Sequence, residues 1–140
     1  MRKLLCVILS TAMVLATCVC SFGAMKPADG VTEPQYVSTE RVTSATVISE
    51  STASYYAKFA PKAGQNISYV KATLKLVNSA GTVVKTKSEM IYNVGGYFKI
   101  SDTKALSAKG TYHAEYTLKV YDKSDSLIET IKGQSGTARY

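Results

Sequence analysis

The sequence contains no tryptophan, one histidine and only three prolines in 140 residues. Its three cysteines, Cys6, Cys18 and Cys20, all fall in the first twenty residues, so the chain beyond them cannot form a disulfide. A domain built from that part must be held by buried apolar surface rather than by cross-links, unlike many small exported scaffolds. Arginine is scarce as well. After Arg2 only Arg41 and Arg139 occur, and the other positive charges are lysines scattered along the chain. Nucleic-acid sites concentrate basic residues and read bases with arginine, so no nucleic-acid partner is expected. A long uncharged run occurs at one place only, residues 4–20.

That run, "LLCVILSTAMVLATCVC", follows the basic pair Arg2 and Lys3 and precedes the small residues of "SFGA" (21–24). This is the three-part layout of a secretory signal peptide, expected to span residues 1–23. At about 17 residues the run falls short of the roughly 20 that a membrane-spanning helix needs. "LATC" (15–18) partly matches a bacterial lipoprotein signal, although Thr17 departs from the usual small residue. The protein is therefore expected to be secreted or associated with the cell surface, with membrane attachment only if Cys18 is lipidated. Without residues 1–23 there are fifteen Lys and Arg against ten Asp and Glu, a net charge of about +5. Such a balance suits an anionic partner such as an envelope polymer or an acidic glycan.

Residues 24–40, "AMKPADGVTEPQYVSTE", hold two of the prolines and read as a flexible leader. From Arg41 to Tyr140 the chain is rich in Val, Ile, Thr and Tyr and is punctuated every eight to twelve residues by turn residues. That rhythm predicts an all-β antiparallel sandwich of about seven or eight strands. In "TASYYAKFAP" (52–61), Ala53, Tyr55, Ala57 and Phe59 share the inward face, and Pro61 ends the ladder for want of a donor. In "SYVKATLKLV" (68–77), Val70, Ala72, Leu74 and Leu76 point inward. In "TYHAEYTLKVY" (111–121), Tyr112, Ala114, Tyr116, Leu118 and Val120 do so. "TVVKTKSEMIY" (82–92) is weaker. The alternation assigns Val84, Thr86, Ser88, Met90 and Tyr92 to its inner face and Lys85, Lys87 and Glu89 to water, which suggests an edge strand or a bulge. "DTKALSAKG" (102–110) breaks the rhythm and is expected to form a short helical turn capped by Ser101 or Asp102.

"TLKLVNSAG" (73–81) and "TLKVYDKSD" (117–125) are two similar strand-and-turn segments 44 residues apart. Asn78 matches Asp122 at the start of each turn, and Val83-Val84 matches Leu127-Ile128. The match covers a hairpin rather than a domain, so one sandwich using the same hairpin twice is the stronger reading.

The run from Ala105-Leu106 through Gly110-Thr111-Tyr112 to Tyr116, Leu118 and Val120 resembles an immunoglobulin-like domain. In such domains a tyrosine near the start of a core strand pins the preceding corner, and the resemblance gives that part to Tyr112. The Cys–Trp–Cys pattern of antibody domains is absent. The chain as a whole is similar to small secreted immunoglobulin-like β-sandwich proteins of Gram-positive bacteria, and in size and plan to some secreted bacteriocins.

No catalytic constellation is legible, and no enzyme activity is expected. His113 lies on an outward strand face beside Glu115, Thr117 and Lys119, with no nucleophile elbow to fix a serine against it. Glu115 and Glu129 read as carboxylates facing water on adjacent strands. "DKSDS" (122–126) is too short and wrongly spaced for a calcium loop. No metal and no cofactor is expected. The distinctive feature is tyrosine, ten residues against three phenylalanines. Tyrosine suits protein and glycan surfaces. "YNVGGYF" (92–98) and the second hairpin turn are the best local patches, giving Tyr92, Tyr97, Tyr121 and Lys123 as the candidate binding surface. The leading expectation is a non-catalytic binding module for an anionic envelope polymer, a glycan or an extracellular protein. The alternative is a secreted antagonist, such as a bacteriocin-like protein or an inhibitor of an extracellular enzyme.

Overall fold

The computed structural model describes residues 36–140. The expected signal peptide, Cys18 and most of the leader lie outside the described residues. Eight strands follow in order: β1 (Thr39–Ser49), β2 (Thr52–Pro61), β3 (Ile67–Asn78), β4 (Val83–Ile91), β5 (Phe98–Ala105), β6 (Thr111–Asp122), β7 (Leu127–Gln134) and β8 (Ala138–Arg139). They form two antiparallel sheets, one ordered β1-β2-β5 and the other β4-β3-β6-β7, with the short β8 pairing to β6. This is the expected immunoglobulin-like sandwich, with the fourth strand placed on the sheet of β3, β6 and β7.

The strict alternation in β2, β3 and β6 is what builds the core. Ala53, Tyr55, Ala57 and Phe59 from one sheet meet Val70, Leu74, Leu76, Leu118 and Val120 from the other, all at most 1% exposed. Phe59 and Phe98 stack across β2 and β5 with ring centroids 4.7 Å apart. Each Val, Leu or Phe side chain among these contributes about 1.5–3 kcal/mol on burial, and this replaces the cross-links the domain lacks. Tyr112 takes the corner position: its hydroxyl donates to the Ala108 carbonyl at 2.7 Å, and Leu106 joins it in the buried core.

Four expectations are corrected. β1 begins at Thr39 rather than Arg41, and residues given to the leader belong to the domain. Ser38 and Thr39 are buried. The Glu129 carboxylate on β7 accepts from the Val37 amide at 2.9 Å, the Thr39 hydroxyl at 2.8 Å and both the amide and hydroxyl of Ser38. Glu129 therefore faces inward, opposite Val120, and not toward water as expected. The segment 102–110 contains no helical turn. β5 runs to Ala105 because its ladder with β2 continues to the Thr52–Ala105 pair.

The fourth correction concerns β4, which is the expected edge strand but shows its other face to the core. Lys85, Lys87, Glu89 and Ile91 pair with the inward Leu76, Leu74, Ala72 and Val70. A register shift at Leu76/Val77 inserts one residue and flips every later side chain. The lysine stems cover the open rim of the core. Their ammoniums reach β5, Lys85 to Asp102 and the Thr103 carbonyl, Lys87 to the Ser101 carbonyl at 2.9 Å. Inward-pointing charge guards this edge against pairing with other chains.

Candidate functional site

The centre of the larger sheet is formed by the two repeated segments paired to each other. β3 and β6 run antiparallel with Thr73 opposite Thr117, so their outward positions meet as Tyr69 with Tyr121, Lys71 with Lys119 and Lys75 with Glu115. The flanking registers place Met90 and Ser88 beside Lys71 and Thr73, and Thr130 and Lys132 beside Lys119 and Thr117.

The Tyr69 and Tyr121 rings stack, with centroids 5.0 Å apart and planes 12° from parallel. Such a pair contributes about 0.5–1.5 kcal/mol beyond its buried area. The Tyr69 hydroxyl donates to Asp125 in the β6–β7 turn at 3.0 Å. Loss of solvent raises its pKa above the ordinary value. The hydrogen bond to Asp125, the Asp125 charge and the nearby Tyr121 and Tyr92 phenols push the same way. Tyr69 thus stays a hydrogen-bond donor. Tyr92 adjoins this stack, is 59% exposed, and donates its hydroxyl to the Met90 sulfur at 3.0 Å.

One row further along the strands, about 6.6–6.8 Å away, Lys71 and Lys119 stand directly opposite each other. Like charges in that relation destabilise a sheet. Lys71 Nζ lies 4.9 Å from the Tyr121 ring centroid and 5.9 Å from that of Tyr69. Each such contact is worth about 0.5–1 kcal/mol at an exposed site. By register the outward neighbours of this pair are Met90, Thr73, Thr117 and Thr130, none acidic. An open groove of about 500 Å³ crosses the face between Met90, Lys71, Lys119 and Tyr121, with Glu89 at its rim, tied to Lys87 at 3.0 Å. A second depression, about 370 Å³, shares Thr73 and Thr117 with the first and continues past Lys75, Glu115 and Lys132. The groups presented along this face are mainly ammoniums, hydroxyls and aromatic rings, suited to anionic and hydroxylated ligands.

Of the four residues singled out from the sequence, Tyr92 and Tyr121 belong to this face. Lys123 is exposed in the adjoining β6–β7 turn. Tyr97 lies apart from them, next to β5 on the smaller sheet, with Lys58 Nζ 3.7 Å from its ring centroid. The glycines of "YNVGGYF" serve the backbone: Gly95 and Gly96 take φ of 62° and 86°, as a tight hairpin turn requires, and Val94 bridges to Tyr97. Lys71 and Lys119 do not stand out in the sequence, because what distinguishes them is their pairing. Laying "TLK" at 73–75 antiparallel to "TLK" at 117–119 would have brought them together. His113 is half-buried on β6, its Nε2 3.7 Å from Glu115. Among the described residues no three His, Cys, Asp or Glu side chains gather as metal ligands.

No protein-family model matches the chain, and no curated protein matches it. A solved structure that resembles it is that of a "putative beta-galactosidase" from Bacteroides fragilis. The two share 17% identity with a TM-score of 0.41, over 68% of this chain and 16% of that one. The chain therefore spans a small part of that protein's length.

Proposed function

We propose that the domain is a non-catalytic binding module of a secreted or surface-associated protein, and that its ligand is an acidic polysaccharide. The observation that carries this reading is the Lys71–Lys119 pair set beside the stacked Tyr69 and Tyr121. Folding alone supplies no reason to place two ammoniums opposite each other, since an acid at either position would stabilise the sheet. A carboxylate bound between them reverses the sign of that interaction. The phenol and threonine hydroxyls beside it match the hydroxyls of a sugar, which favours a carboxylated glycan over a polymer that offers charge alone.

The test is titration of the purified protein with polygalacturonate at low salt, with dextran as the neutral control. Binding to polygalacturonate that weakens as salt rises is expected, with none to dextran. Lys71→Gln with Lys119→Gln should weaken it about tenfold or more, and Tyr121→Ala should weaken it as well. A doubly substituted protein that binds like the wild type, or a wild type that ignores polygalacturonate, would refute the reading.

A further inference from the structure

The outer face of the smaller sheet carries the same device. β2 and β5 pair with Lys58 directly opposite Lys99. Both point outward, because their chain neighbours Phe59 and Phe98 stack in the core. Each lysine leans along a diagonal onto a tyrosine of the other strand or its lead-in. Lys58 Nζ is 3.7 Å from the Tyr97 ring centroid, and Lys99 Nζ is 5.2 Å from that of Tyr56. The two ammoniums are thereby splayed in opposite directions along the sheet. β1 adds Thr43 beside Lys58, and Arg41 lies one outward step further on. None of the outward positions that these registers pair is acidic, while the exposed Glu40 sits in the register shift next to Arg41. A groove of about 460 Å³ runs beside Tyr56, Lys99 and Ser101, and Asp102, whose carboxylate is paired with Lys85, also lines it.

A single like-charged cross-strand pair is one departure from what sheet stability favours. Two, each seated on tyrosine and on opposite outer faces of one sandwich, form a pattern. We infer that the domain is bivalent. A second acidic-polysaccharide face, made by Lys58, Lys99, Tyr56, Tyr97 and Arg41, lets one molecule bridge two polymer chains. The inference takes the identity of its ligand from the reading of the first face, while the second face stands on its own geometry. Paired sheets lie about 10 Å apart with their outer faces directed away from each other, so the two faces hold separate chains.

The experiment compares four forms of the protein: wild type, K58Q/K99Q, K71Q/K119Q and the variant with all four changes. Each is mixed with polygalacturonate and followed by turbidity and by calorimetric stoichiometry, after sedimentation of the free protein. The wild type should cross-link the polymer into turbid complexes. Each two-site variant should still bind, at about half the polymer per molecule, without turbidity. The four-site variant should do neither. On a polymer-coated surface, loss of either face should lower the apparent affinity about a hundredfold, as expected when avidity is lost. The glutamine variants relieve repulsion and should keep the wild-type melting temperature, and K58R/K99R, which keeps the charge, should keep the turbidity. K58Q/K99Q that cross-links like the wild type overturns bivalency and leaves the first face standing. Loss of all binding in K58Q/K99Q, with K71Q/K119Q unaffected, overturns both bivalency and the first-face reading. A wild type that does not bind overturns both as well.

Discussion

Asp102 ties the two sheets together at their edges, and the cost of removing it should depend on pH in a definite direction. Its carboxylate on β5 accepts from the buried Tyr55 at 3.2 Å, from the Thr103 amide at 2.9 Å and from Lys85 of β4 at 3.0 Å. Burial by itself raises its pKa. The hydrogen bonds from Lys85 and Thr103, the Lys85 charge and the Tyr55 hydroxyl more than offset that and hold it below the ordinary carboxylate value. Tyr55 moves up, through burial first and then the Asp102 charge and hydrogen bond, so it stays protonated. The folded pKa of Asp102 thus lies below the unfolded value of about 3.9. Its contribution is fully present above that value and is lost as pH falls through the folded pKa. Asp102→Asn keeps the shape and removes the charge. Hydrogen bonds to charged groups contribute about 1.5–3 kcal/mol, and the partial exposure of Lys85 lowers that, so a loss of about 1–2 kcal/mol at pH 7 is expected. Urea unfolding of both proteins at pH 7 and pH 2 measures it, and the gap should close toward pH 2. In a Lys85→Met background the same substitution should be neutral or stabilising, because the carboxylate is then buried without its counter-charge. A gap that is equal at both pH values, or no gap at pH 7, would refute the reasoning.

Gly133→Ala should be costly, since the added Cβ would lie 2.3 Å from the Tyr116 hydroxyl and 2.6 Å from Cζ. Moving that ring should cost about 1–3 kcal/mol, and Tyr116→Leu in the same chain should recover much of the difference in a thermal double-mutant cycle. Tyr112→Phe removes the 2.7 Å bond to Ala108 and should cost about 1 kcal/mol. That corresponds to a fall of about 4–8 °C in Tm for a domain of this size; an unchanged Tm would remove Tyr112 from its role at the corner.

The alternating strands were legible because burial on one face leaves a period of two that nothing else in the chain imitates. β2, β3 and β6 were placed with the correct residues inward, and Tyr112 was found from its position at the head of a core strand. β4 was misread for a physical reason. Its core-facing positions hold lysines whose stems are apolar, so a pattern that sorts residues by charge assigns them to water, and the one-residue shift at Leu76/Val77 is invisible in the sequence. The start of β1 was hidden because Ser38 and Thr39 are buried against a carboxylate 90 residues away rather than against apolar side chains. The extension of β5 depended on its partner strand. The proposed face is half legible in the sequence: Tyr92 and Tyr121 stand out by type, whereas Lys71 and Lys119 are brought together only through register.

The repeated hairpins give the strongest argument that this register matters. Asn78 Oδ1 accepts from the amides of Ala80 and Thr82, and Asp122 Oδ1 from those of Ser124 and Ser126, so the two turns are built alike. Gly81 at φ 79° is matched by Asp125 at φ 59°. The two copies are related by a local two-fold through the Thr73–Thr117 pair, and that operation carries Lys71–Lys119 onto Glu115–Lys75. The equivalent place in the same sheet therefore holds an ordinary opposite-charge pair, and the fold accepts it. It likewise carries the Tyr69–Tyr121 stack onto His113–Val77. The copies agree where they make core and differ at one end of one face, where the charge and the aromatic rings collect. Lys71→Glu copies the stable pair into the unusual position. It should raise stability by about 0.2–1 kcal/mol in urea unfolding while sharply weakening binding to polygalacturonate. A substitution that stabilises and leaves binding intact would show that Lys71 has no part in the site. One that destabilises would show that the lysine pair serves the fold after all.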